Sequence, residues 1–175
     1  MKRLFLSICF LLFANYLLAQ TEFTFESVKY QVNQGTNTVT VIGNTISQPT
    51  ALVIPQTVTY NGNSYTVTAI GENAFYRCTS LVSVLICENV ENIGAYAFYS
   101  CNKLKSITSL IPAEKLFAIP GLMSSRIYRT CTLYVPYGAK ETYAATAGWN
   151  KFTNIIELEP ENQHGDINKD GEVNV

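Results

Sequence analysis

Apolar residues return along the middle of the chain at a fixed interval. Ile70, Phe75, Cys78, Leu81 and Val84 reappear as Ile93, Phe98, Cys101, Leu104 and Ile107, each 23 positions later. The two segments read Ile70-Gly71-Glu72-Asn73-Ala74-Phe75-Tyr76-Arg77-Cys78-Thr79-Ser80-Leu81 and Ile93-Gly94-Ala95-Tyr96-Ala97-Phe98-Tyr99-Ser100-Cys101-Asn102-Lys103-Leu104. A period of this size marks a stacked solenoid. One such turn cannot cover its own apolar side chains. Stacking the next turn on it places Ile on Ile, Phe on Phe and Leu on Leu, and a ladder core results. Leu81–Ile86 and Leu104–Ile107 read as the parallel strands. Glu72–Tyr76 and Ala95–Tyr99 read as single helical or 3₁₀ turns on the opposite side, with Ala-Phe-Tyr packed inward.

The flanks follow other periods. Phe23, Phe25, Val28, Tyr30 and Val32, then Val39 and Val41, give alternation around the polar stretch 33–37, a hairpin signal. Ala51–Pro55 opens the solenoid pattern, because Ile54-Pro55-x-x-Val58 matches Ile86-Cys87-x-x-Val90. An insertion at Thr59–Val67, centred on Asn61-Gly62, reads as a second hairpin. Residues 20–67 are therefore expected as an antiparallel N-terminal β cap that covers the ladder core and its open strand edge. After the repeats of residues 68–110 the period breaks at Ile111-Pro112 and Ile119-Pro120-Gly121. Cys131–Pro136 alternates and ends in Pro, as an edge strand can. Ala139–Ala147 favours helix, with Gly148 as its stop. Residues 111–158 read as a C-terminal cap. Trp149 fits that cap, beside Phe152 and Ile155, better than it fits a sugar-stacking platform.

The pattern Ile-Gly-x-x-Ala-Phe-x-x-Cys-x-x-Leu-x-x-Val/Ile resembles the BspA-type leucine-rich repeat of bacterial surface proteins, over roughly Ile54 to Leu158. Thr132–Tyr143 and Gly148–Glu157 are similar to the closing unit of that family. The implied fold is mainly β with short helical turns: a leucine-rich-repeat solenoid of about two to three turns between β-containing caps. The resemblance implies protein binding or adhesion at a cell surface, and fold-level analogy alone names no ligand.

Composition agrees with a folded, strand-rich chain, 47% hydrophobic and 14% charged, with 11 Tyr and 9 Phe. The first 19 residues carry Lys2-Arg3, then the apolar run Leu4–Leu18, then the small Ala19. That is the layout of a signal peptide, and the run is short for a membrane span of about 20 residues. Its removal leaves 10 basic against 13 acidic residues and no basic run, which disfavours nucleic acid. Export permits disulfides among Cys78, Cys87, Cys101 and Cys131. Yet Cys78 and Cys101 are equivalent positions on adjacent turns, with parallel rather than converging Cβ vectors. Buried free thiols, the role of Cys at this position in the resembling family, are expected instead.

Residues 159–164 read as a polar linker. Beyond it, Gly165-Asp166-Ile167-Asn168-Lys169-Asp170-Gly171-Glu172-Val173-Asn174-Val175 is similar to the first calcium loop of a dockerin. Side-chain oxygens fall at Asp166, Asn168, Asp170 and Asn174, the Glu172 carbonyl supplies another ligand, and Gly171 makes the sharp turn. Loop position 12, the helix and the second loop are missing, so residues 165–175 are expected to be a truncated module. A complete module would take Ca²⁺ and a cohesin-like partner, and would make the protein a docked scaffold or accessory subunit. The repeat domain itself calls for no cofactor.

No catalytic constellation is found. The sole His is His164, outside the repeats, and Glu72, Glu88, Glu91, Glu114 and Glu141 form no evident acid/base pair. A binding protein is the expected class, exported to the surface, periplasm or medium, with an unknown protein or surface ligand as partner. In the pattern Leu-x-x-Val/Ile, the intervening residues point away from the core. Val82, Ser83 and Leu85 on one turn and Lys105, Ser106 and Thr108 on the next are therefore the candidate binding residues, expected side by side on the face of the parallel strands, with Val82 and Leu85 either seeding an exposed apolar patch or covered by the C-terminal cap or by Tyr residues.

Overall fold

The computed structural model describes residues 21–45 and 49–160. The segment read as a signal peptide and the calcium loop, with Asp166, Asn168, Asp170, Glu172 and Asn174, lie outside the described residues.

The chain starts with an antiparallel meander of β1 (Glu22–Phe25), β2 (Val28–Val32) and β3 (Thr38–Asn44). Strands β5 (Thr57–Tyr60) and β6 (Asn63–Ile70) form a second hairpin. Its loop residues Asn61 and Gly62 have φ of 49° and 78°, the left-handed pair that a two-residue hairpin turn requires. The pairing of β3 with β6 is parallel, and β6 runs parallel to the short β8 (Asn92–Ile93). Val41, Ile70 and Ile93 are aligned by that pairing and fully buried. One wall of the solenoid thus begins at β3, inside the stretch expected to be purely antiparallel.

The second wall is built from β4 (Ala51–Ile54), β7 (Ser83–Ile86), β9 (Ser106–Ser109), β10 (Thr132–Val135) and β11 (Asn154–Glu157). They form an all-parallel sheet in the order β11-β10-β9-β7-β4. Register aligns Leu52, Val84, Ile107, Leu133 and Ile155 in one inward row. The first four are at most 5% exposed. Cys131–Pro136 was expected at an edge, but β10 lies between β9 and β11. Pro136 falls just beyond the strand, where its missing N–H removes no ladder bond.

The third side corrects the expected helical turns. Residues 72–78 form successive tight turns, with the Tyr76 N–H donating to Asn73 O (3.0 Å) and the Cys78 N–H to Phe75 O (3.2 Å). Asn73 and Arg77, and their equivalents Tyr96 and Ser100, have φ of 56°, 62°, 58° and 63°. Left-handed residues at that spacing stop a helix from propagating. The N–H groups of Asn73, Phe75 and Arg77 donate instead to Ala95, Ala97 and Tyr99 of the next turn, at 3.0, 2.8 and 2.8 Å. Neighbouring turns are hydrogen-bonded on this side as well as through their strands.

The C-terminal part adds α1 (Ser125–Thr130) and α2 (Lys140–Ala145), the latter within the expected helical stretch. Gly148, at φ 90°, passes so close to the Ile119 carbonyl that a Cβ would collide with it. Trp149 is fully buried, packs edge-on to Tyr143 with ring centroids 5.1 Å apart, and donates its indole N–H to Phe117 O (2.9 Å). A ring so enclosed closes the last turn and offers no face to a sugar.

Candidate binding face

Two side-chain rows cross the outward face of the parallel sheet. Register aligns Ala51, Ser83, Ser106, Thr132 and Asn154 in the first, and Val53, Leu85, Thr108, Tyr134 and Ile156 in the second. The first row is small and polar. The second is largely apolar, with Val53 41% and Ile156 38% exposed at its ends. Adjacent parallel strands lie about 4.8 Å apart, so each row is a continuous strip rather than scattered residues.

The expected binding residues fall on this face with one correction. Ser83 and Ser106 are half-buried neighbours in the polar row, Val82 is half-buried just before β7, and Lys105 is exposed just before β9. Leu85 and Thr108 lie on the outward side yet are only 8% and 4% exposed, which for Leu85 is the covered alternative and for Thr108 a correction. Leu85 remains outside the buried core cluster, so it points away from the interior. It is flanked in register by Val53 and Thr108, and Thr108 by Leu85 and Tyr134. This mutual cover arises from a row, which is set by the registers of β4 and β10.

The inward row that follows holds a polar exception. Ser109 is fully buried at the position equivalent to Ile86. The Tyr143 hydroxyl donates to Ile111 O (2.8 Å), so Ser109 Oγ, 2.6 Å away, donates to Tyr143 Oη. Both hydroxyls are thereby satisfied, as burial requires. Burial raises the Tyr143 pKa, which keeps the phenol a donor.

The four cysteines of the described residues are free and buried. Burial pushes the thiols of Cys101 and Cys131 up to about 12, and those of Cys78 and Cys87 upward as well. The Cys101 thiol donates to Phe75 O (3.2 Å). Nucleophilic thiols require the opposite shift. Among the described residues, no three His, Cys, Asp or Glu side chains gather as a metal site.

Two surface features were not read from the sequence. Tyr76, expected to pack inward with Ala74 and Phe75, instead stacks on Tyr99 at 5.8 Å, and Tyr96 meets Tyr99 edge-on at 5.6 Å, leaving Tyr76 and Tyr96 about half exposed. The 23-residue spacing of Tyr76 and Tyr99 was the available signal. The second is an open cleft of about 630 Å³, lined by residues from 82 to 132 that include Lys103, Lys105 and Arg126. No acidic side chain lines it. No run in the sequence announces this cleft, because α1 brings Arg126 to the two lysines from 21 positions beyond Lys105.

Repeating turns, hydrogen-bonded walls and an all-parallel sheet are matched in known proteins. Residues 56–120 match the family model "BspA type Leucine rich repeat region (6 copies)". The fold is a leucine-rich-repeat solenoid, mainly β with few short helices. It is similar to a leucine rich cell surface protein from Faecalibacterium prausnitzii, with a TM-score of 0.54 at 20% identity over 81% of this chain and 44% of that one. A leucine-rich repeat protein from Bacteroides ovatus gives 0.51 at 22% identity, over 78% of this chain and 41% of that one. Another from Bacteroides capillosus gives 0.51 at 18% identity, over 80% of this chain and 100% of that one. The chain thus spans less than half the length of the first two. No curated protein matches it.

Proposed function

We propose that this chain is an exported bacterial leucine-rich-repeat protein that binds a protein partner at the cell surface, through the outward face of its parallel sheet. The observation that carries this reading is the row Val53–Leu85–Thr108–Tyr134–Ile156 beside the row Ala51–Ser83–Ser106–Thr132–Asn154. A largely apolar strip next to a strip of small hydrogen-bonding groups has the make-up of a protein interface core and its polar rim. The two ends of the apolar strip, Val53 and Ile156, are open to water, and apolar side chains exposed together mark interaction surfaces. Export is supported by the signal-peptide layout of the first 19 residues. It is also supported by the likeness to a cell surface protein. Adhesion is the form such binding takes in the family that the repeats resemble.

The test pairs Val53→Asp with Ile156→Asp, both at exposed ends of the strip. Wild type and double variant are compared against an array of purified bacterial and host surface proteins. The expected result is a partner whose affinity falls at least tenfold, about 1.4 kcal/mol, in the double variant, with the melting temperature unchanged. A partner bound equally well by the folded double variant would place the interface elsewhere.

A further inference from the structure

We infer that the basic cleft at the start of strands β7, β9 and β10 receives an acidic segment of the protein partner, a stretch in which Asp or Glu alternates with aliphatic residues. This rests on the reading of the adjoining sheet face as a protein-binding surface.

The cleft is assembled from three places. Val82 and Lys105 precede β7 and β9, Thr132 begins β10, and α1 supplies Arg126, Ile127 and Thr130 as the far wall. The backbone fixes this arrangement. The Lys105 N–H donates to Val82 O and the Thr132 N–H donates to Lys105 O, both at 2.8 Å. Lys103 and Lys105 flank the buried Leu104, so the inward pull on that leucine leaves both ammonium groups exposed at the rim. Arg126 is exposed on α1, whose inward side is anchored by the buried Ile127 and Tyr128. The Leu122 N–H donates to Tyr128 Oη at 2.9 Å, which ties α1 to the preceding loop.

The chemistry selects the ligand. Three cations without a lining carboxylate, in a chain whose formal charge is −1, form a local field of opposite sign to the whole. Such a field draws in anionic groups and is screened by salt. The Arg126 guanidinium can hold a carboxylate through two parallel N–H donors, and Thr132 and Asn102 add neutral donors. The half-buried Val82 and the alkyl stems of Lys103, Lys105 and Arg126 give the same cleft an apolar wall, above the buried Leu104 and Ile127. Aliphatic side chains between the carboxylates would cover that wall, whereas a sulfated sugar would leave it wet. Thr132 belongs both to the cleft and to the polar row of the sheet, so a segment lying in the cleft continues directly onto the face.

The test is a fluorescence-anisotropy titration of the chain with a labelled peptide of Glu-Glu-Leu repeats, at low and at high salt. Binding should weaken steeply with salt. It should fall at least tenfold in the triple variant Lys103→Gln, Lys105→Gln, Arg126→Gln. It should be unchanged in the charge-matched variant Lys29→Gln, Lys115→Gln, Lys140→Gln, whose sites are exposed elsewhere. Equal loss in both variants would overturn the cleft as the site, and so would no binding by the wild type. A sulfated oligosaccharide bound more tightly than the peptide, and lost in the cleft variant, would overturn the choice of a peptide. The peptide titration reads the cleft and the array reads the sheet face, so a failure of one is told apart from a failure of the other.

Discussion

Phe75 and Phe98 stack ring on ring, with centroids 5.6 Å apart and planes 3° from parallel, and neither is exposed. Each ring occupies the same place in its own turn, so the stack is the 23-residue sequence period made physical. It shows how the core is built: each ring finds its partner one turn along, not across a hairpin. Substituting either Phe by Ala should cost about 3–5 kcal/mol, as for other buried rings. A denaturant melt reads this directly, and a loss below about 1 kcal/mol would mean that the ladder tolerates a gap that close packing forbids.

The same closeness governs the glycine of each repeat. A Cβ on Gly94 would collide with the Glu72 backbone nitrogen and lie 2.7 Å from Glu72 Cα. On Gly71 the nearest atom would be Val41 O at 3.1 Å. Gly94→Ala should therefore destabilise by about 1–3 kcal/mol, the range for overpacking, and by clearly more than Gly71→Ala. Equal losses for the two would show that conformational freedom, rather than the approach of turn to turn, explains the glycine.

Much of this was legible in the sequence, because a solenoid writes its contacts as a period. Ile70 above Ile93 and Phe75 above Phe98 follow from spacing alone. The parallel pairing of β3 with β6 did not, since Val39 and Val41 alternate identically whether their neighbour runs parallel or antiparallel. Tight turns at Glu72–Tyr76 were read as a single helical or 3₁₀ turn because Ala and Phe suit both, and the left-handed conformation at Arg77 and Tyr96 runs against the local preference. For the binding face, the direction of Leu85 was readable, and its cover stayed an open alternative because it depends on the registers of β4 and β10. The basic cleft was invisible, because proximity of Arg126 to Lys103 and Lys105 is a product of how α1 docks.

The thiols give a pH prediction with a definite sign. Burial holds the protonated form of Cys101 and Cys131, raising each from 9.0 to about 12 in the folded chain. The unfolded chain therefore releases these protons first as pH rises. The contribution to stability is complete below 9.0 and is lost progressively as pH climbs toward about 12. Denaturant melts across this window should show falling stability, and Cys101→Ala with Cys131→Ala should flatten the fall relative to wild type. At neutral pH, native protein should resist alkylation at all four sites and react once unfolded. Rapid labelling of Cys101 in the native state would contradict its burial.

The most direct test of the account is hydroxyl-radical footprinting of the chain, free and bound to the partner found on the array. Val53, Tyr134 and Ile156 share the outward strip of the parallel sheet, whereas Tyr76 and Tyr137 are exposed elsewhere. Binding through the sheet face predicts that labelling of Val53, Tyr134 and Ile156 drops in the complex while Tyr76 and Tyr137 stay as reactive as before. Protection of Tyr76 with undiminished labelling of Tyr134 and Ile156 would contradict it and move the interface to the turn side of the solenoid.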